Sequence, residues 1–445
     1  MKKIIALLLV LVTLLSLAAC GAKEPAATEA PKGDAPAATE AAPAETVDEN
    51  NPLYTKPTEN VNLTVWYAVS GVTAEKFEAL VNEYAAANPN VSIELSYAGS
   101  YADAANKISA NLLTNTAPDV ALTTAAPMFT GDRGDYTIET LIQDPAFDAD
   151  GIYDGVWEYA MWQGRICALP YGISVPVLYY NKDIAKAAGL DLEANPPKTW
   201  DELYDMAVKC MTDAGAMYGF EVNDVAWLFK SMLAQNGNSI IEVDGDDVEP
   251  VYNAPEAVEV AEFWKKLIDN GVMPVDQHSN ADKNFQGGQV AFLVSSSVRL
   301  ARWAGVEGIA DFGCLPMPSF AQESVALGGN HLVVFPNGDD AKLAAAWDLI
   351  KFLMSEEKHT EFAIETGYLP IYAAAMESDY VQNAIAEDAR RQTVYNYLPS
   401  SWSYTHFADM GTMDSHLKTM ISELENGAEA QKALDKAAQN LLDDM

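Results

Sequence analysis

Residues Arg165 to Asp183, RICALPYGISVPVLYYNKD, constrain the fold of this 445-residue chain more than any other stretch. Two extended segments meet there around a Pro/Gly kink. Leu169-Pro170-Tyr171-Gly172 turns, Pro176 follows, and Val177-Leu178-Tyr179-Tyr180 runs on as a strand. Each proline fixes φ and removes a backbone donor, so the pair stiffens the link. Asn181-Lys182-Asp183 then opens an amphipathic helix. A stiff, strand-like link in mid-chain, with an α/β pattern on either side, is what a connection between two lobes requires. The length agrees, being too great for one ordinary core and natural for two.

The pattern before the link reads βαβαβ. Val61 to Tyr67 alternates as a strand, and Thr73 is expected to cap a helix carrying Phe77, Leu80, Val81 and Tyr84. Asn88-Pro89-Asn90 breaks that helix ahead of the strand Val91 to Leu95. A helix through Ile108 and Leu112 follows, and Asp119 orders the Ala117-Pro118-Asp119 turn into Val120-Ala121-Leu122. A parallel sheet with right-handed crossovers is expected. Beyond the link, Thr199 with Glu202 three residues on forms a capping box. Gly219 to Val222 is a strand, and Pro255 to Asn270 is a helix closed by Gly271. Val243 to Val248 is a turn between short extended pieces, without the oxygen spacing or terminal Glu of an EF-hand. Ala291 to Ser297 is a strand, Phe312 to Pro318 is extended, and Gly328-Gly329-Asn330 precedes the strand His331 to Phe335. Helices dominate from Lys342 onward.

The formal charge is −37. Nucleic-acid binding needs a Lys/Arg footprint, so this acidity argues against it, and equally against a polyanion held by general attraction. Cys167, Cys210 and Cys314 are odd in number and lie in apolar contexts, as buried small hydrophobes do. No CxxC and no Cys/His metal spacing occurs, so no cofactor and no metal are expected. Lys2-Lys3, the apolar run Ile4 to Leu15, and Leu17-Ala18-Ala19-Cys20-Gly21 look like a bacterial lipoprotein signal with its lipobox. Residues 1–19 would be removed. Cys20 would carry the lipid (diacylglyceryl, with palmitate) and hold the protein on the outer side of the cell membrane, extracellular or periplasmic. Residues 20–58, rich in Ala, Pro, Glu and Thr, cannot bury a core and would form a disordered tether.

Several stretches together carry a family resemblance. They are Pro176 to Asp183, Pro196-Pro197-Lys198-Thr199-Trp200-Asp201-Glu202-Leu203, Phe285-Gln286-Gly287-Gly288-Gln289-Val290-Ala291-Phe292, Gly328-Gly329-Asn330 and Thr366-Gly367-Tyr368-Leu369-Pro370. In order and spacing the chain, from about Val61 to Leu442, resembles the extracellular solute-binding proteins (family 1) of bacterial ABC sugar importers. That large group includes maltose- and glycerol-3-phosphate-binding proteins. The resemblance implies an α/β, two-lobe periplasmic-binding-protein-like fold (type II) with discontinuous lobes and a ligand cleft between them. The expected lobes are residues 59–170 with 297–345, and 171–296 with 346–445. Crossings are expected at the opening stretch, near Val294 to Ser297, and after Phe335. The resemblance further implies a monomer that is not an enzyme, with a small carbohydrate and the permease subunits as partners.

Aromatic faces cover the apolar side of a pyranose, while carboxylates, amides and hydroxyls bond its ring hydroxyls. By similarity to the glycerol-phosphate-binding members, Tyr101, Tyr368, Ser174, one of Ser296 and Ser297, and one of Gly328 and Gly329 match ligand contacts, with Asn330 beside them. Trp66 and Tyr67, at a strand end, and Trp227 and Trp402 are further aromatic candidates, each open to a core role instead. Two departures matter. That subgroup places a Glu soon after the third strand, where Thr123-Thr124-Ala125 stands, and an Arg near Met410 to His416, where there is none. A buried phosphate without a cationic fork is hard to hold against desolvation. The sequence therefore favours a neutral mono- or oligosaccharide over glycerol 3-phosphate or a related polyol phosphate. A surface-anchored glycan-active enzyme is the rival class. No HExxH, GxSxG, Walker A or GxGxxG supports it, and the five histidines lack ligand spacing.

Overall fold

The computed structural model describes residues 51–124, 137–162, 165–244, 247–400, 402–403 and 410–445. The lipobox, Cys20, most of the expected tether and His406 lie outside these. Asp48–Met445 forms one compact unit built on two sheets. In the first, β1 (Val61–Tyr67) lies between β2 (Val91–Tyr97) and β3 (Val120–Thr123), all parallel. Strand alternation divides β1 between two faces. Val61, Leu63, Val65 and Tyr67 meet Phe77, Leu80, Val81 and Tyr84 of helix Val72–Ala87, while Trp66 packs on the other face with Ile108 and Ala121. The cap expected of Thr73 is not made. The helix starts at Val72, two residues earlier than that cap would place it, behind Gly71 at φ +60°, and the Thr73 hydroxyl is buried instead. Helix Tyr101–Leu112 has a capping box of its own, Ser100 with Asp103.

A short hairpin, β4 (Met161–Trp162) with β5 (Arg165–Ile166), precedes the crossing. Strands β6 (Leu169–Ser174) and β7 (Pro176–Asn181) then follow, with Val175 alone between them, and every residue of both is buried. Strand β6 belongs to the first sheet and β7 to the second, so the kinked stretch is the passage between lobes. The second lobe continues with β8 (Tyr218–Val222), the hairpin β9 (Ile241–Asp244) with β10 (Asp247–Pro250), and β11 (Val290–Ser296). The hairpin occupies the acidic turn, and no acidic or His/Cys group among the described residues has the geometry of a metal site.

The second passage differs from expectation. After β11 the chain stays with the second sheet, because β12 (Phe312–Leu315) pairs antiparallel with β7. It rejoins the first sheet only at β13 (Gly328–Val334), which lies between β3 and β6. The sheets are ordered β2-β1-β3-β13-β6 and β12-β7-β11-β8. Helices Asp340–Leu353 and Glu356–Thr366 pack on β1 and on helix Val72–Ala87, placing Trp347, Phe362, Leu369 and Tyr372 in the first core. Residues 346–387 thus lie with the first sheet rather than the second, while helix Arg390–Tyr395 packs on β12. Beyond Leu398, helices Met410–Glu425 and Ala430–Asp444 close the second core around Trp264 and Phe229.

Candidate functional site

Two parallel strand ends and one antiparallel strand bring a polar group together in the first lobe. Tyr101 begins the helix after β2, Asn330 sits on β13, Gly172 lies on β6, and Tyr368 follows the helix that ends at Gly367. Asn330 is wholly buried. Its Nδ2 donates to the Tyr368 hydroxyl at 3.0 Å and to the Tyr101 hydroxyl at 3.4 Å, and its Oδ1 accepts the Gly172 N–H at 3.0 Å. One amide therefore fixes both phenols and satisfies a strand N–H left free where the β6–β13 register shifts, at Asn330/His331. Burial pushes the Tyr368 hydroxyl well above the ordinary phenol range and also raises Tyr101. Both remain neutral at physiological pH.

Glycines give the backbone its close approaches. Gly329 has φ +128°, and a Cβ there would lie 1.8 Å from the Gly172 carbonyl oxygen. At Gly328 a Cβ would lie 2.6 Å from the Trp227 ring. The Gly-Gly pair thus answers to packing, with a second-lobe indole seated directly on a first-lobe strand. Trp227 is held in the first turn of helix Val225–Gln235, which Asp224 caps by accepting the Trp227 N–H at 3.2 Å. Its indole N–H is buried without a protein partner. With Pro176, Asn223, Val294 and Ser296 it lines a cavity of about 120 Å³. The Ser296 carbonyl accepts the Tyr179 hydroxyl, at 3.0 Å. The Ser297 N–H donates to Val175 in the crossing, and the Ser297 hydroxyl is buried and unpartnered. Ser174 is buried at the crossing and pairs with Gly328.

Other expected site residues lie elsewhere. Tyr67 is a core residue between Phe77 and Tyr97, its hydroxyl bonded to Glu78, and is not brought to the Asn330 group. Trp66 packs against the small cluster of Ala68, Ala98 and Ala104, as Tyr101 does. Trp402 bridges to Ala326 and lines a separate cavity of about 460 Å³ with Glu158, Asn238 and Ser324. Asp119 accepts from Thr64, Asn337 and Lys342, tying β1, β3 and the loop after β13 together. His331 and His359 hydrogen-bond to the carbonyls of Tyr159 and Tyr171, and burial lowers both to about 4, so they are neutral core groups. Cys167 and Cys210 are buried thiols in the second core.

Arg302 escaped the sequence reading. It lies on the short helix Arg299–Trp303 after β11, and its positive charge acts on both Tyr101 and Tyr368, opposing the upward push of burial. No motif flags it, because an arginine's partner cannot be read from a chain so rich in carboxylates.

The family model described as "Bacterial extracellular solute-binding protein" matches residues 79–388. The sn-glycerol-3-phosphate-binding periplasmic protein UgpB of Salmonella typhimurium is 28% identical over 404 residues, covering 85% of this chain and 90% of that protein. Among solved structures, the cyclic alpha-maltosyl-1,6-maltose binding protein of Arthrobacter globiformis superposes with a TM-score of 0.72 at 25% identity, over 86% of this chain and 98% of the other. UgpB of Mycobacterium tuberculosis, in complex with glycerophosphocholine, superposes with a TM-score of 0.75 at 21% identity, over 86% and 98%.

Proposed function

Since the chain belongs to the bacterial extracellular solute-binding protein family, as a substrate-binding protein of an ABC importer and not an enzyme, we propose that it captures a small carbohydrate or related polyol between its lobes. The observation that carries this reading is the single buried amide of Asn330, which holds the Tyr101 and Tyr368 phenols beside the crossing while Trp227 of the second lobe rests on Gly328. Phenol hydroxyls and an indole face are the groups a polyhydroxylated solute uses. Contacts drawn from both lobes would favour the closed arrangement, which the permease then engages. Ser174, Ser296 and Ser297 line the same passage and are assigned as polar contacts. Trp66 and Trp402 are assigned to the periphery.

A neutral saccharide is the first reading of the solute. A polyol phosphate is the second, favoured by the relatives named for glycerol 3-phosphate. Cys20 is assigned as the lipid anchor, outside the described residues. The test is a melting-shift panel of sugars, polyols and their phosphates, followed by titration of Tyr368→Ala with whichever solute stabilises the protein. Loss of the anchoring phenol should weaken binding by about 1–3 kcal/mol. An unchanged affinity in a folded variant would remove Tyr368 from the site, and turnover of any solute would overturn the reading as a whole.

A further inference from the structure

We propose that Arg302 is the cation of this cleft, and that the solute carries an anionic oxygen group, phosphate or carboxylate, beside its hydroxyls. The inference rests on the interlobe reading above and, within it, sets the anionic solute ranked second there ahead of the neutral saccharide.

Packing fixes where Arg302 stands. Its helix follows Ser296 and Ser297 directly and is pinned by Trp303, whose ring lies 5.3 Å from Tyr179, 5.7 Å from Phe285 and 5.4 Å from Phe312. The other side presses on Gly367. A Cβ there would lie 2.8 Å from the Val298 Cα and 3.1 Å from the Ala301 Cβ. Tyr368 is the next residue after Gly367, and Arg302 the next after Ala301. Arg302 thus stands beside the segment that carries Tyr368, its charge acts on both phenols, and it is itself exposed.

Among the described residues the other arginines are engaged. Arg165 pairs with Glu139, Arg299 with Asp282 and Arg390 with Asp388, while Arg391 donates to the Ile364 carbonyl and the Tyr395 hydroxyl. Among the described residues the Arg302 guanidinium has neither ion pair nor hydrogen bond. In a chain with 64 acidic side chains to 27 basic ones, a cation left unpaired at a cleft is reserved for something else. The field of such a protein repels anions, so capturing one requires a local cation of this kind.

The direction of the hydrogen bonds agrees. The Asn330 amide donates to both phenol oxygens and the Tyr101 and Tyr368 hydroxyls hydrogen-bond to each other, so one phenol proton of the pair is left to give. That phenol O–H and the guanidinium N–H groups both offer donors to a solute. Their natural complement accepts several hydrogen bonds and bears negative charge. The cationic fork missing near Met410 to His416 is then supplied from a different helix.

Titration calorimetry on the full chain, wild type and Arg302→Gln, tests this with matched ligands: sn-glycerol 3-phosphate, glycerophosphocholine and glucose 6-phosphate against glycerol and glucose, plus glycerate for the carboxylate case. The phosphates or glycerate should bind the wild type more tightly than their neutral counterparts. Arg302→Gln should weaken the anions by about tenfold or more while sparing the neutral ligands, and Arg302→Lys should restore part of the loss. Wild-type affinity for the anion should fall on raising the salt from about 20 to about 300 mM. An equal melting midpoint shows that the variant folds. Neutral ligands that bind as tightly as the anions, or an Arg302→Gln that keeps full anion affinity, would overturn the inference and leave the cleft reading standing. Silence of the wild type toward this panel and the sugar panel alike would overturn both.

Discussion

Replacing Asn330 by Ala is the most informative single perturbation, because three hydrogen bonds converge on one wholly buried amide. Two go to phenols, and each is worth about 1 kcal/mol net, the 3.4 Å bond to Tyr101 somewhat less. The third serves the Gly172 N–H. Water does not reach this N–H, so losing its acceptor costs about 1–3 kcal/mol more. The sum is about 3–5 kcal/mol. With a denaturant slope near 3 kcal/mol per molar, the urea midpoint should fall by about 1–2 M. Asn330→Asp separates the two roles of the residue. Its Oδ1 still accepts from Gly172, but a carboxylate draws both phenol protons inward. Asn330→Asp should therefore lose less stability than Asn330→Ala and still lose solute binding. Urea unfolding followed by near-ultraviolet circular dichroism, with calorimetric titration beside it, measures both quantities. A midpoint for Asn330→Ala within about 0.2 M of wild type would refute the claim that this amide organises the tyrosine pair.

Other outcomes follow from the same structure. Gly329→Ala should abolish soluble folded protein, since its methyl would meet the Gly172 carbonyl oxygen at 1.8 Å with φ at +128°; a normal circular-dichroism spectrum and melting midpoint would contradict this. Glu221 is buried with one carboxylate oxygen unpartnered, and burial raises it to about 7. Because the folded state holds this proton more tightly than the unfolded state, the stabilisation is full below the ordinary carboxyl range. It is lost as pH rises through about 7. Glu221→Gln, which never ionises, should accordingly melt above wild type at pH 8 and close to it at pH 5; parallel pH profiles would show that Glu221 does not titrate in this way. Cys20→Ala should release the protein from membranes into the medium or periplasm, as fractionation would report, and persistent membrane association would remove Cys20 as the anchor.

The first crossing was legible because Pro170, Gly172 and Pro176 write a backbone constraint into the sequence, and the structure places one residue, Val175, between strands of different sheets. The Thr199–Glu202 capping box was legible for the same reason, being a local hydrogen-bond pattern. Thr73 misled, since a hydroxyl near a helix start suggests a cap, whereas here Gly71 with positive φ makes the turn. The second crossing was misplaced for a less local reason. Ser295 to Ser297 resemble a polar hinge, but β12 returns to pair with β7, a contact spanning more than a hundred residues that no local pattern encodes. Gly328 and Gly329 could be read as places of close approach. What approaches them, an indole and a strand carbonyl, was not readable. Tyr67 and Trp66 showed the opposite ambiguity, since strand-end aromatics suit a cleft or a core, and crossover helices cover both faces of β1.

Hydrogen exchange with and without the solute found by the melting panel tests most directly the claim that one solute is clasped by both lobes. Peptides spanning Tyr101 and Asn330 in the first lobe, and those spanning Trp227 and Ser296 in the second, should gain protection together and saturate at the same solute concentration. Protection confined to one lobe, or shifted to the cavity lined by Trp402, would contradict it.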